Sequence, residues 1–326
     1  MKLASLKSGR DGALVVVSDD LKRMASAEGI AATMQDALDE WAALAPDLER
    51  CCADLNSDKN SGTPFDPTRC AAPLPRAYHW ADGSVYLNHM ELVRKARGAE
   101  MPESFLTDAL MYQGGSDILL GACDEIQVID ENWGIDLEAE VAVITDDVPM
   151  GVSAEEAPKH IVLILLANDV SLRNLIPGEL GKSFGFYQSK PPTAFSPVAV
   201  TPTVLGEKWN GSKLQGRISA EINGTLLGDP DAGDDMYFDF GQLIVHAAKT
   251  RPLGAGTIIG SGTISNRDRS RGSTCLAEVR TIETIEHGEP KTSFLKFGDT
   301  VRIEMVDNKG QSIFGAIDQK VVQHTP

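Results

Sequence analysis

Two periodicities share this chain, and the period-two pattern prevails. In "KLASLKSGRDGALVVVS" apolar residues recur at strand spacing on both sides of Gly9-Arg10-Asp11-Gly12, which predicts a hairpin. Met34, Leu38, Trp41 and Ala45 then recur at helical spacing, and Pro46 is expected to close that helix. The polar, Pro- and Gly-rich "SDKNSGTPFDPT" (57–68) reads as a loop or linker. From about residue 71 strands dominate. "GRISAEINGTLLGD" is a hairpin whose Asn223-Gly224 suits a type I′ turn. "DTVRIEMVDNKGQSIFGAI" is another, turning near Asn308-Lys309-Gly310, and Phe240, Leu243, Ile244 and Ala247 mark a helix between them. "IVLILLANDVSLRN" opens with the continuous apolar run of a central strand and ends abruptly at Asn168-Asp169. No internal repeat is visible. These elements predict an α+β, β-rich fold rather than a doubly wound one. A small N-terminal α/β appendage (1–70) precedes a larger domain (71–326).

The stretch "GIDLEAEVAVI" (Gly134 to Ile144) carries the first sign of chemistry. It reads as one half-buried strand with Glu138 and Glu140 on the same face, roughly 6.5–7 Å apart along the chain. Such a pair more often marks a solvated face. A carboxylate at the mouth of a buried strand, Asp169, is nevertheless well placed to meet it, and "HWADGSVYLNH" offers Asp82 and, seven residues later, His89. Carboxylates without a nearby Cys/His pair form an all-oxygen site that suits Mg²⁺, Ca²⁺ or Mn²⁺ rather than zinc. A divalent cation would relieve the repulsion between Glu138 and Glu140.

Composition narrows the function classes. The 326 residues are 42% hydrophobic, enough for one large domain or two. The longest apolar run, Ile161–Ala167, is too short to span a membrane, and the first residues lack the apolar segment of a signal peptide. Cysteines 51, 52, 70, 123 and 275 are an odd, irregular set, resembling cytosolic thiols more than a disulfide framework. A cytoplasmic location is therefore expected. A net charge of −17 argues against nucleic acid and anionic membrane as partners. It also requires that any anionic substrate meet a locally positive site.

In order and spacing these residues resemble the fumarylacetoacetate hydrolase family, over roughly residues 70–322. Asp82 and His89 match the family's Asp seven residues before a catalytic His, and Tyr112 in "MYQGGSD" matches its Tyr in a Gly-flanked turn. "DLEAEVAV" matches its metal-binding Glu-x-Glu, and Asn168 to Arg173 match its "ND-x-S-x-R". Lys190 in "SKPPTAFSP", Thr263 in "GTIS" and Glu278 in "GSTCLAE" complete the set. The resemblance implies the mixed β-sandwich roll of the family's C-terminal domain, with Asp82, Glu138, Glu140 and Asp169 as ligands of a divalent cation, first of all Mg²⁺. It implies His89 as general base oriented by Glu278, Lys190 as a catalytic cation, and Arg173, Tyr112 and Thr263 as substrate contacts. A homodimer is implied as well.

The implied activity is hydrolysis of a carbon–carbon bond in a β-diketo acid, foremost 4-fumarylacetoacetate to fumarate and acetoacetate, in tyrosine and phenylalanine catabolism. Acylpyruvate hydrolysis, hydration or isomerisation of a 2-keto-4-enoate and β-keto acid decarboxylation use the same fold and metal, and a non-catalytic metal-stabilised binding protein is a minor alternative. Two departures bear on the substrate. The fumarylacetoacetate-cleaving enzymes carry Gln and Tyr where this chain has Ile176 and Leu180. The family's "KSF" string falls on Lys182, which stands nearer Asp169 than Lys190 does and is read as a look-alike. Of the remaining histidines, His246 on the expected helix reads as a packing or partner contact. His79, His160, His287 and His324 carry no usable pattern.

Overall fold

The computed structural model describes residues 1–57, 59–96 and 100–325, so residue 58 of the expected linker lies outside the described residues. The fold is a mixed, strand-rich α+β arrangement built on two large open sheets, with a two-stranded sheet beside them. The larger runs Thr63–Pro64, Arg23–Ser26, Ala13–Val17, Lys2–Leu6, Ala199–Val200, Ile161–Asn168, Ala139–Thr145, Ile258–Gly260, Trp80–Gly83, Met111–Gly114. Its strands pair antiparallel except where Ile258–Gly260 lies parallel to Trp80–Gly83. The smaller has Thr225–Gly228, Ile218–Ile222, Thr300–Met305, Ile317–Gln323 and Ile126–Val128.

Strand parity explains how the two strands at the centre are buried on both sides. Val141, Val143, Ile164 and Leu166 pack into a core shared with Ile218, Val301, Ile303 and Val321 of the five-stranded sheet. Ala142, Ile144, Leu163, Leu165 and Ala167 face the other way, into a core shared with Leu3, Val16, Met34, Leu38 and Leu48 of the N-terminal segment. With neither face wet, an unbroken apolar run replaces alternation. The N-terminal hairpin joins this sheet through Lys2–Leu6, whose Lys2 and Leu3 pair with Val200 and Ala199.

The expected hairpins are present. Asn223 and Gly224 take φ of 52° and 72°, the left-handed pair that a type I′ turn requires. The last hairpin is looser than its sequence implies. A bridge Val306–Ser312 closes the turn, but the return strand starts only at Ile317. The expected helix is Phe240–Ala247, capped by Asp239 and Gln242. Within 57–68, Thr63–Pro64 pairs with Arg23 and Met24.

Two expectations are corrected. Pro46 does not close a helix. The chain breaks at Glu40 and restarts as Trp41–Asn56, with Pro46 inside its second turn. The proline forfeits one ladder bond, the one its N–H would make to the Ala42 carbonyl, and the buried Leu48, Cys52 and Leu55 hold the helix down in spite of it. "GIDLEAEVAVI" is not one half-buried strand either. Ile135–Asp136 pairs with Ser171–Leu172, Leu137 and Glu138 form a break, and Ala139–Thr145 is buried throughout. At the break the Asn168 side chain accepts from the Glu138 N–H, and the Glu138 carbonyl accepts from the Asp169 N–H.

Candidate active site

Five strand ends of the large sheet converge beside that break. Cross-strand register sets Tyr112 opposite Asp82 and Asp82 opposite Gly260, while Glu140 lies opposite Ala167 and Asp169 follows the end of its strand. Asp82, Glu140 and Asp169 each bring a carboxylate oxygen within 4.8 Å of the others, and all three are buried. Neither oxygen of the Glu140 carboxylate has a hydrogen-bond partner. Asp82 accepts from the Gly262 N–H at 2.9 Å, and Asp169 accepts from the Thr193 hydroxyl at 2.6 Å and the Tyr112 hydroxyl at 2.7 Å. Burial, then the Asp169 charge, pushes the Asp82 carboxyl up. Burial and the neighbouring Asp82 and Asp169 do the same to Glu140. Three clustered carboxylates, one of them without a hydrogen bond, form a hard-oxygen donor set that fits a divalent cation.

Glu138 lies beside this trio in a different environment. Its carboxylate accepts from Arg173 Nη2 at 2.7 Å and from Lys190 Nζ at 2.6 Å. Burial pushes its carboxyl up, but the Lys190 and Arg173 charges outweigh burial and hold it well below the usual carboxylate range. Lys190 Nζ also donates to Asp169 Oδ2 at 2.6 Å. Burial alone would lower its pKa, but Asp169 and Glu138 raise it above the ordinary lysine value, so the ammonium stays charged. Arg173 donates from Nε to Asp136 Oδ2 at 2.8 Å, so its guanidinium bonds protein carboxylates through both Nε and Nη2. Lys182 is exposed on the surface.

The imidazole comes from another layer. His89 sits on the helix Leu87–Ala96, which packs against the helix Leu276–His287 carrying Glu278. His89 Nδ1 lies 3.0 Å from Glu278 Oε2, and the Ser273 hydroxyl donates to Glu278 Oε1 at 2.9 Å. Glu278 is 2% exposed and His89 15%, so the carboxylate is buried behind the ring and the ring faces the opening. That opening is a cavity of about 390 Å³ lined by Asp82, His89, Tyr112, Glu138, Lys190 and Thr263, with Ile176, Leu180, Leu110, Met111 and Phe186 as apolar wall. Larger hollows, of about 710, 650 and 480 Å³, lie elsewhere. Among the described residues no comparable group of potential ligands gathers at any of them. His246 pairs with Asp108 at 3.3 Å, outside the cavity.

Four residues of this network were not anticipated. Asp136 accepts from the Leu276 and Ala277 N–H groups as well as from Arg173, tying the Glu278 helix to the carboxylate side. Its signal was available, because Asp136, Glu138 and Glu140 alternate at period two. Thr193, Ser273 and Glu179, whose carboxylate accepts from the backbone just before Lys190, had no signal beyond being polar. The cysteines carry no disulfide.

Comparison with known proteins fits this geometry. Residues 78–322 match the family model described as fumarylacetoacetate (FAA) hydrolase C-terminal, and residues 1–76 match fumarylacetoacetase N-terminal domain 2. The chain belongs to the fumarylacetoacetate hydrolase family. Among curated proteins it is similar to the mitochondrial oxaloacetate tautomerase fahd2 of Xenopus laevis, 25% identical over 221 residues (66% of this chain, 58% of that one). It is also similar to the oxaloacetate tautomerase YisK of Bacillus subtilis, 28% identical over 185 residues (56% of this chain, 57% of that one). The chain thus matches less than two thirds of either relative's length. Among solved structures, maleylpyruvate hydrolase from Sphingobium sp. SYK-6, in complex with manganese(II) and pyruvate, shares the fold. That likeness has a TM-score of 0.67 at 16% identity, with both chains fully covered. Among the described residues no helix is long and apolar enough to cross a membrane.

Proposed function

We propose that this protein hydrolyses a carbon–carbon bond of a β-diketo acid, with 4-fumarylacetoacetate, split to fumarate and acetoacetate, as the first substrate to test. The observation that carries this reading is the His89–Glu278 pair at the rim of a cavity whose opposite wall holds the carboxylates and Lys190. With Nδ1 turned to a buried carboxylate, Nε2 is left to take a proton from water. The water oxygen then adds to a ketone carbon, the bond to the neighbouring carbon breaks, and its electron pair leaves as a carbanion that His89 reprotonates. Lys190 supplies fixed positive charge where negative charge develops on oxygen. Arg173 keeps Glu138 ionised and in place, and Thr263 offers a hydroxyl to the substrate. A divalent ion held by Asp82, Glu140 and Asp169, with Glu138 beside them, supplies Lewis-acid stabilisation of that negative charge when bound. The reading takes the ion as Mg²⁺, the assembly as a homodimer and the setting as cytoplasmic aromatic catabolism, on the strength of family resemblance.

A second reading stays within the same site. Both curated relatives are named oxaloacetate tautomerases. Keto–enol interconversion needs His89 to move one proton and needs no water. One assay separates the two: loss of absorbance with fumarylacetoacetate, acylpyruvates and oxaloacetate, with and without Mg²⁺, followed by NMR of the products. Cleaved fragments support hydrolysis. Enol-to-keto conversion of oxaloacetate with every diketo acid left intact overturns it.

A further inference from the structure

Between Arg173 and Lys190 the chain arches over the cavity. One limb is the short helix Ile176–Leu180, whose Ile176 and Leu180 line the cavity wall. The crown is exposed, with Phe184 and Tyr187 standing in solvent, and Ser183 and Gly185 hold φ of 61° and 89°. The other limb sets Phe186 edge-on to the Tyr112 ring, centroids 5.5 Å apart, and ends at Lys190, whose Nζ sits between Glu138 and Asp169. One buried side chain ties the limbs together. Glu179, 7% exposed, accepts at Oε1 from the Gln188 N–H at 2.6 Å. At Oε2 it accepts from the Tyr187 N–H at 3.1 Å, the Ser189 N–H at 3.2 Å and the Ser189 hydroxyl at 2.5 Å.

All four donors come from the tripeptide that immediately precedes Lys190. Charge-assisted bonds of this kind are among the stronger ones a protein makes. Burial pushes the Glu179 carboxyl up, but the Ser189 hydroxyl and the three amides outweigh it and hold it at about 2, so it stays ionised near neutral pH. Three successive amides converging on one carboxylate fix the backbone from 187 to 189, and with it the direction from which Lys190 enters the site.

We propose that Glu179 is a positioning residue: it clasps residues 187–189 to the other limb and thereby sets the place of the Lys190 ammonium between Glu138 and Asp169. The catalytic weight of that placement rests on the proposed function, while the clasp itself does not.

The test uses the full chain with Glu179→Ala and Glu179→Gln, the latter keeping one acceptor oxygen and so serving if the alanine variant fails to fold. Amide hydrogen exchange is followed at 187–189 and in the strand Ala139–Thr145, and Lys190 is probed by acetylation with an N-hydroxysuccinimide ester, read by mass spectrometry. Expected are exchange at 187–189 at least tenfold faster, unchanged exchange in the strand, and Lys190 acetylation at least fivefold faster, with the glutamine variant intermediate. On the substrate that the wild type cleaves, kcat should fall about 10–100-fold with KM moved much less. Unchanged protection at 187–189, or freed amides with unchanged Lys190 labelling, overturns the proposal. A wild-type protein that turns over no oxo acid sinks the proposed function instead, and the exchange and labelling results still decide the clasp.

Discussion

At the scale of single residues, four carboxylates within one site do different work because their partners differ. Glu140 has no hydrogen-bond partner and is surrounded by like charge, whereas Glu138 is ion-paired to Lys190 and Arg173. Glu140→Gln should therefore leave the metal-free protein as stable as wild type or more so, and remove its stabilisation by Mg²⁺. Glu138→Ala should cost about 1.5–3 kcal/mol even in EDTA, because it takes one of two carboxylate partners from each of two buried cations, leaving Arg173 with Asp136 and Lys190 with Asp169. Thermal unfolding with and without chelator separates these outcomes. Folding raises the Asp82 and Glu140 carboxyls above their ordinary values. Their contribution to metal-free stability is thus complete below the ordinary carboxylate range and is lost as pH rises through the folded values. A bound cation removes that loss, so the Tm gained from Mg²⁺ should grow from pH 5 to pH 8, reaching on the order of 5 °C at a hundredfold excess over Kd. A gain that shrinks with pH would contradict the assigned cluster. His89→Ala should keep the Mg²⁺ effect on Tm and lower kcat on the order of 10²–10⁴-fold. Wild-type turnover in that variant would remove His89 from its role.

At the scale of elements, the turn after Ile258–Gly260 shows how backbone geometry aims side chains. Gly262 has φ of 78°, and a Cβ there would lie 2.4 Å from the Gly83 carbonyl oxygen, while its own N–H donates to Asp82. Gly262→Ala should cost about 1–3 kcal/mol and weaken the Mg²⁺ response by moving Asp82, a change that calorimetry in EDTA and in Mg²⁺ would reveal. Elements also decide what could be read from the sequence. The hairpin at Asn223-Gly224 and the strand Ile161–Asn168 were legible because one demands left-handed residues and the other is buried on both faces. The break at Leu137-Glu138 was not, since its cause is the Asn168 side chain thirty residues on, which satisfies the Glu138 N–H in place of a ladder bond. Pro46 misled because a proline is read as a stop, and only the restart at Trp41 makes it an early-turn residue. The grouping of Asp82, Glu140 and Asp169 was implied by the family resemblance, with Glu138 as a fourth ligand, whereas spacing alone pointed to a solvated Glu138-Glu140 face. The engagement of Glu138 and Arg173 with each other was not, because two charges that pair look no different in sequence from two that bind ligand.

At the scale of the whole molecule, the acidic surface and the N-terminal segment both constrain behaviour. With a net charge of −17 the long-range field repels an anionic substrate, while Lys190 and Arg173 act only near contact. Raising ionic strength from 10 to 150 mM should therefore increase kcat/KM for an oxo acid by about twofold, since screening removes the distant repulsion before it touches buried pairs. A chain starting at residue 77 should be poorly soluble, as judged by size-exclusion chromatography. It would bare Ala142, Ile144, Leu163 and Leu165, which the N-terminal helices now cover, and would leave Ala199–Val200 without its outer neighbour. That seam also dictates a timetable. Lys2 and Leu3 finally lie against residues made roughly two hundred positions later. At a synthesis rate of about 5–20 residues per second the earliest strand waits on the order of 10–40 s for its mate. Throughout that interval the turn at Gly9–Gly12, by folding Ala13–Val17 back along it, occupies one edge of that strand, while the edge that will meet Ala199–Val200 stays open to neighbouring nascent chains.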